Sequence, residues 1–156
     1  MFGLGKINFI PGTFGSLATT VVLYYLFHIL NYSPNLVLIG LIVIFIYSFY
    51  AVSNHIKNSE NKDPNEVIID EFIGQSIPIY LYEVYHGASN ESEEAIIYYF
   101  VFFILFRYFD IMKPFPVSFF DKNFKNSFGV MMDDVIAGLY VVLTLVSFMV
   151  IKSYVL

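Results

Sequence analysis

From Leu36 to Val52 the chain runs without a charged side chain, and from Ala95 to Phe106 it does so again with aromatic residues throughout. Segments of this kind have few places to go. About 20 apolar residues at 1.5 Å each cross the hydrocarbon layer of a membrane, and inside it every backbone amide and carbonyl must be satisfied within the segment, which selects the helix. Three further segments read the same way: Leu17–Leu30, Val67–Tyr85 and Val130–Ile151, the first spanning if its helix begins near Thr13. Polar stretches separate them, with a turn at Asn31–Asn35, loops at Asn54–Glu66 and His86–Glu94, and a short connector at Asp121–Phe128. Only 13% of the residues are charged and 58% are apolar, against roughly 25% charged in an average soluble protein. The expected fold is all-α, a polytopic membrane helical bundle of about five apolar helices in a single domain over residues 1–156, with its site at one membrane face.

Charge placement orients that bundle. If each segment crosses once, Lys6, Lys57, Lys62, Arg107, Lys113, Lys122 and Lys125 fall on one side and only Lys152 on the other. By the positive-inside bias the first side is cytoplasmic, and the acidic 86–94 loop faces outward. The N-terminus lacks the basic, apolar, small-residue order of a cleaved signal peptide, so the first segment is expected to stay in place. The absence of cysteine excludes thiol nucleophiles, disulfides and thiolate metal sites. No basic patch points to nucleic acid.

Four polar clusters share the predicted cytoplasmic side. Asp70 and Glu71 sit near the start of a segment, with Gly74 four residues after Asp70 on the same helical face. Asp133 and Asp134 repeat the arrangement, with Ala137 and Gly138 four residues beyond them. Arg107 and Asp110 share a face, and Lys113 precedes Pro114, which biases it out of the helix and turns its ammonium back toward the carboxylates. Each cluster has a plain structural reading: acidic helix starts that complement the macrodipole, or a boundary ion pair with Arg107 reaching toward water. Two acidic pairs at one depth weigh against the first. Five carboxylates with two nearby cations leave negative charge that a divalent cation would relieve, and oxygen ligands without Cys or His point to a hard ion, Mg²⁺ or Mn²⁺. Arg and Lys beside such an ion are the usual clamp for a phosphoryl group. Pro11–Ser16 reads as a glycine-punctuated loop entering a helix, with Thr13 or Ser16 as N-cap and its amides and hydroxyls as an anion site. It lacks the Gly-Lys-Ser/Thr ending of a P-loop. Pro78 predicts a kink, His28 a structural role, His55 and His86 loop positions, and Tyr47, Tyr50, Tyr80 and Tyr82 interfacial or packing aromatics.

The strings PGTFGSL (11–17), IIDEFIG (68–74), FRYFDIMKPFPV (106–117) and GVMMDDVIAG (129–138) together resemble the phosphatidylglycerophosphatase A family, membrane phosphatases of bacterial phospholipid synthesis. The resemblance covers nearly the whole chain. It implies an all-α fold, Mg²⁺ dependence, a bacterial inner-membrane location and hydrolysis of phosphatidylglycerophosphate to phosphatidylglycerol and phosphate. On this reading Asp70, Glu71, Asp133 and Asp134 are metal ligands, and Arg107 and Lys113 bind the phosphate with Thr13, Ser16 and the loop amides. Asp110, Asp134 and Lys113 are the catalytic candidates, Asp110 standing open between metal ligand, base for a metal-bound water, and nucleophile. Phe115 stands where the family usually has Trp, at a position read as packing; Asn126-Ser127 and Lys6-Ile7-Asn8 also depart from the pattern. A lipid phosphotransferase of the CDP-alcohol type also carries carboxylates on helices, but its Asp-Gly, Ala-Arg signature is not found here. A divalent-cation carrier would place its carboxylates near the midplane.

Overall fold

The first helix begins where the sequence suggests a loop. In the computed structural model, which describes residues 11–58, 68–86, 92–124 and 126–155, α1 spans Pro11–Tyr24. Proline suits a first helical turn because its missing N–H is not needed there. Thr13 and Ser16 are therefore inside the helix and cap nothing. Ser16 Oγ donates to the Gly12 carbonyl at 2.8 Å, Thr19 Oγ1 to Gly15 at 2.8 Å and Thr20 Oγ1 to Ser16 at 2.9 Å. These bonds satisfy the hydroxyls within the helix itself, so its small polar residues can be buried. The helix then widens into a π-helical turn, Tyr25–Ile29, and stops at Asn31, whose φ of 51° is left-handed.

α2 (Pro34–Asn58) starts on Ser33, whose Oγ accepts from the Leu36 amide at 3.4 Å, and runs on into the expected 54–66 loop. α3 (Ile69–His86) continues through Pro78. α4 (Ser92–Met112) is closed by Lys113, which has φ 42° and donates its amide to the Phe109 carbonyl at 2.9 Å. That is the αL cap, here on a residue type that pays strain for it. α5 (Val117–Asn123) is a helix that the sequence does not suggest, and it takes in the start of the expected 121–128 connector. α6 (Ser127–Val155) is capped by Asn126, whose Oδ1 accepts from the Gly129 amide at 3.0 Å. No strand occurs among the described residues. Lys6, Lys62, Lys125, and residues 59–66 and 87–91 of the two long loops lie outside the described residues, as do the side chains of His55, Lys57 and Lys152.

Four helices are long and apolar enough to cross a membrane, over Gly12–Ile29, Pro34–Asn54, Glu94–Met112 and Ser127–Ile151. The third expected segment is not among them, because α3 carries Asp70, Glu71, Gln75, Ser76 and Glu83. It is instead the most enclosed helix, with Asp70, Phe72 to Ser76, Pro78, Ile79, Tyr82 and Glu83 all buried. At one end Glu71 lies against Gly12 of α1. At the other, Glu83 Oε1 accepts from Tyr99 of α4 at 2.9 Å and pairs with His28 of the π turn at 3.0 Å. α3 thus runs alongside α1 and α4 over their common depth, sheathed by them. Polar groups at membrane depth are tolerated when they face protein in this way. His28 has the helix partner its structural reading requires.

Each neighbour buries one stripe in the bundle. On α4 it is Ala95, Tyr99, Phe102 and Phe106; on α6 it is Met131, Asp134, Ala137 and Val141. The intervening residues, such as Ile97, Phe100, Ile104, Leu143 and Phe148, are exposed, as lipid-facing positions should be. Lipid tails are as apolar as these side chains, so the bundle is held by packing and by close backbone approach. The closest approach is between α3 and α6. A Cβ on Gly138 would overlap the Gly74 carbonyl, and one on Gly74 would lie 2.5 Å from the Asp134 carbonyl oxygen. Pro78 has no amide to offer the Gly74 carbonyl four residues back, and it is that carbonyl on which Gly138 packs.

Candidate active site

The Gly74–Gly138 contact fixes where the carboxylates go. Asp70 is one helical turn before Gly74, and Asp134 one turn before Gly138, so the crossing that joins the two glycines also brings the two acids together. Carboxylate oxygens of Asp70, Glu71 and Asp134 all lie within 4.8 Å of one another, with Asp70 and Asp134 buried and Glu71 half-buried. Glu71 Oε2 is buried without a hydrogen-bond partner. In both acidic pairs the first Asp accepts from the amide of the second acid, Asp70 Oδ1 from Glu71 at 3.1 Å and Asp133 Oδ1 from Asp134 at 3.0 Å.

Asp133 faces elsewhere. Its Oδ2 accepts from Lys113 Nζ at 3.0 Å, and the same ammonium donates to Asp121 on α5 at 2.5 Å. The left-handed backbone at Lys113 directs this side chain back over the helix end. Burial works against its charge, but the hydrogen bonds and charges of Asp121 and Asp133 outweigh it and hold the ammonium above its ordinary range. Nothing in the sequence of a short polar connector singles out Asp121.

Arg107 continues the inward face of α4, one residue beyond the fully buried Phe106. Its Nη1 lies 2.5 Å from Asp110 Oδ2, both side chains being largely buried. The contact is an ion pair by distance, yet neither Nη1 nor Nε has a hydrogen-bond partner among the described residues. α1 enters through Gly12, whose Cα faces both the Glu71 carboxylate and the Arg107 guanidinium; a Cβ there would overlap Glu71 Oε1 and lie 3.0 Å from Arg107 Nη1. The 11–17 string therefore reaches the site through a missing side chain. The Ser16 hydroxyl is fully buried and given to Gly12, while Thr13 is half-buried in the first turn.

Of the predicted residues, Asp70, Glu71 and Asp134 form one cluster, Arg107 and Asp110 border it through Gly12 and Glu71, and Lys113 with Asp133 forms an adjoining pair. The chemistry available is a group of hard oxygen donors suited to a divalent cation, next to an underused guanidinium suited to an oxyanion.

The sequence profile of the phosphatidylglycerophosphatase A family matches residues 1–149. A Haemophilus influenzae protein named phosphatidylglycerophosphatase A is 35% identical over 91% of this chain and 80% of its own length. The Escherichia coli protein of that name is 30% identical over 88% of this chain and 73% of its own. A Bacteroides thetaiotaomicron protein named "putative phosphatidylinositol-3-phosphatase" is 35% identical over 89% of this chain and 83% of its own. No solved structure gives a significant match.

Proposed function

Because the chain belongs to the phosphatidylglycerophosphatase A family, we propose that it hydrolyses phosphatidylglycerophosphate to phosphatidylglycerol and inorganic phosphate. We place the reaction at the cytoplasmic face of a bacterial inner membrane, with Mg²⁺ as cofactor. One observation carries this reading. Buried groups of both signs lack hydrogen-bond partners at one place, Glu71 Oε2 on one side and Arg107 Nε on the other, with Nη1 held only by its ion pair to Asp110. A cation on the carboxylates and a phosphate on the guanidinium satisfy both at once, and leaving either unmade is costly.

Asp70, Glu71 and Asp134 would hold the cation, with Asp133 beside them. When bound, that ion would polarise the phosphoryl oxygens as a Lewis acid. Arg107 binds two phosphate oxygens through its fork, and Lys113, released in part from Asp121 or Asp133, binds a third or meets the leaving oxygen. Thr13 contributes from the first turn of α1, whereas Ser16 would have to give up its bond to Gly12 to do so. In the reaction a water oxygen bonds to phosphorus, the bond from phosphorus to the glycerol oxygen breaks, and that oxygen takes up a proton. Asp110, which pairs with Arg107, would accept the proton of that water, or would itself attack phosphorus, displacing the glycerol oxygen to give an aspartyl-phosphate that water then hydrolyses at phosphorus. Acid-quench trapping of a phosphoenzyme separates these, since only attack by Asp110 forms an aspartyl-phosphate.

The test is phosphate release by the purified protein from phosphatidylglycerophosphate, and from phosphatidylinositol 3-phosphate, with and without chelator. Release from the first substrate that stops on chelation and returns with Mg²⁺ is expected. No release with Mg²⁺ present, or release indifferent to chelation, would refute the reading. Preference for the second substrate would move it to the chemistry named for the Bacteroides relative.

A further inference from the structure

The connector between α4 and α6 carries more aromatic surface than a turn needs. Phe115 is 76% exposed, Phe119 45% and Phe128 43%. Unlike the exposed residues of the four long apolar helices, Phe115 and Phe119 lie between two candidate spans, after Met112 and before Ser127. Their rings form an unbroken line with Phe124: Phe115 to Phe119 at 6.4 Å, Phe119 to Phe124 at 6.1 Å, Phe124 to Phe128 at 5.9 Å. Packing does not demand this, because α5 already buries Val117 completely in the core. Nor is the segment loose. The Tyr140 hydroxyl donates to the Phe115 carbonyl at 2.6 Å, and the Tyr140 ring stacks on Phe109 at 5.2 Å.

The polar side of the same segment belongs to the site. Asp121 on α5 holds the Lys113 ammonium that also reaches Asp133. An apolar face and a phosphate-facing cation are thus joined through one short helix. A lipid phosphate ester presents the matching pair, a charged headgroup with acyl chains a few bonds away. We propose that the aromatic face of Phe115, Phe119 and Phe128 is the seat for the acyl chains of the lipid substrate, so that α5 reads both ends of one molecule. This rests on the lipid-phosphatase reading and deepens it, by making acyl chains a determinant of affinity and not only of location.

The experiment compares wild type with F115S/F119S and F115L/F119L in mixed detergent micelles. The substrates are long-chain phosphatidylglycerophosphate and its deacylated, water-soluble counterpart. The serine pair should raise the KM for the long-chain lipid about tenfold, the scale set by losing part of two buried aromatic contacts. Its kcat on that lipid and its kcat/KM on the deacylated substrate should stay within about twofold by the same reasoning, and the leucine pair should restore the KM. An unmoved KM, or an equal loss on both substrates, overturns the proposal. A loss seen in vesicles but absent in mixed micelles also overturns it and gives the face to the bilayer surface. Wild-type protein that releases phosphate from neither substrate removes the phosphatase reading itself, and this proposal with it.

Discussion

Gly74→Ala tests whether the α3–α6 crossing sets the site. The added methyl would lie 2.5 Å from the Asp134 carbonyl oxygen, 2.7 Å from Phe106 Cε2 and 2.9 Å from the Asp134 carbonyl carbon. Ordinary contact begins at 3.4 Å, so the carbonyl must retreat by 3.4 − 2.5 = 0.9 Å. It is backbone and cannot rotate away; α6 has to move, and Asp134 moves with it relative to Asp70. Alanine would favour the helix by about 1 kcal/mol over glycine, but overpacking costs about 1–3 kcal/mol. Stability should therefore fall by no more than about 2 kcal/mol, a few degrees in unfolding temperature. A displacement near 1 Å at the reacting groups costs on the order of 100-fold in rate. Activity should then drop far more than stability. Gly40→Ala is the control, because a Cβ there meets nothing within 4 Å; it should leave activity unchanged and raise stability by up to about 1 kcal/mol. The assay is phosphate release alongside thermal unfolding in detergent. Near-wild-type turnover by Gly74→Ala would refute the claim that this contact positions the carboxylates.

Asp134→Asn should abolish turnover and weaken Mg²⁺ binding, measured calorimetrically, while the protein still inserts and folds; near-normal activity would show the cluster to be structural. Arg107→Lys keeps the charge but loses the fork, and should lower kcat by about 10²–10³-fold, the cost of a lost transition-state donor. Lys113→Gly should relax the left-handed backbone and offset the lost ion pairs, leaving stability within about 1 kcal/mol of wild type, yet impair catalysis at every pH, read from a rate–pH profile. His28→Ala takes the imidazole from the buried Glu83 carboxylate, which keeps its bond from Tyr99. It should cost about 1–3 kcal/mol of stability, seen as a lower unfolding temperature, with kcat per folded molecule unchanged because the clasp is at the far end of α3.

Spacing made half of this site legible. Asp70 with Gly74 and Asp134 with Gly138 are each one helical turn apart, a pattern readable without coordinates. Which member of an adjacent acidic pair faces inward was not readable, since neighbouring helical residues differ by about 100° and the sequence does not give a helix its rotation. Hence Asp133 and Asp134 looked equivalent, while only Asp134 joins Asp70 and Glu71. The 11–16 stretch misled because glycine spacing signals a turn as readily as a helix that must approach its neighbours closely. α5 escaped because seven residues after Lys-Pro-Phe-Pro are too few to show a period. Phe115 was expected to pack, and its exposure depends on where the chain re-enters the bundle, which is a tertiary fact. α3 read as a span because its few polar residues scarcely dilute an apolar run; that they all turn inward depends on what surrounds it.

The layout of α3 bears on a carrier as against a phosphatase. Its acidic groups stand at its two ends, Asp70 and Glu71 at one and Glu83 at the other. From residue 71 to residue 83 at 1.5 Å per residue is roughly 18 Å. Between them lie Phe72, Ile73, Gly74, Gln75, Ser76, Pro78, Ile79 and Tyr82, all buried and none of them acidic, with Gly138 and Phe106 closing on Gly74. A cation moving along this helix would have no carboxylate to pass to over most of the hydrocarbon depth, and leaving a charge unpaired there is expensive. The far carboxylate is moreover already engaged by His28 and Tyr99. A carboxylate cluster at one end, with the far carboxylate already engaged, suits a reactant whose charged group stays at headgroup depth while its chains remain in the lipid. If the helix carried ions instead, Glu83→Gln would stop Mg²⁺ uptake into sealed vesicles and leave phosphate release untouched. On the phosphatase reading, vesicles bearing the wild-type protein show no uptake above protein-free vesicles.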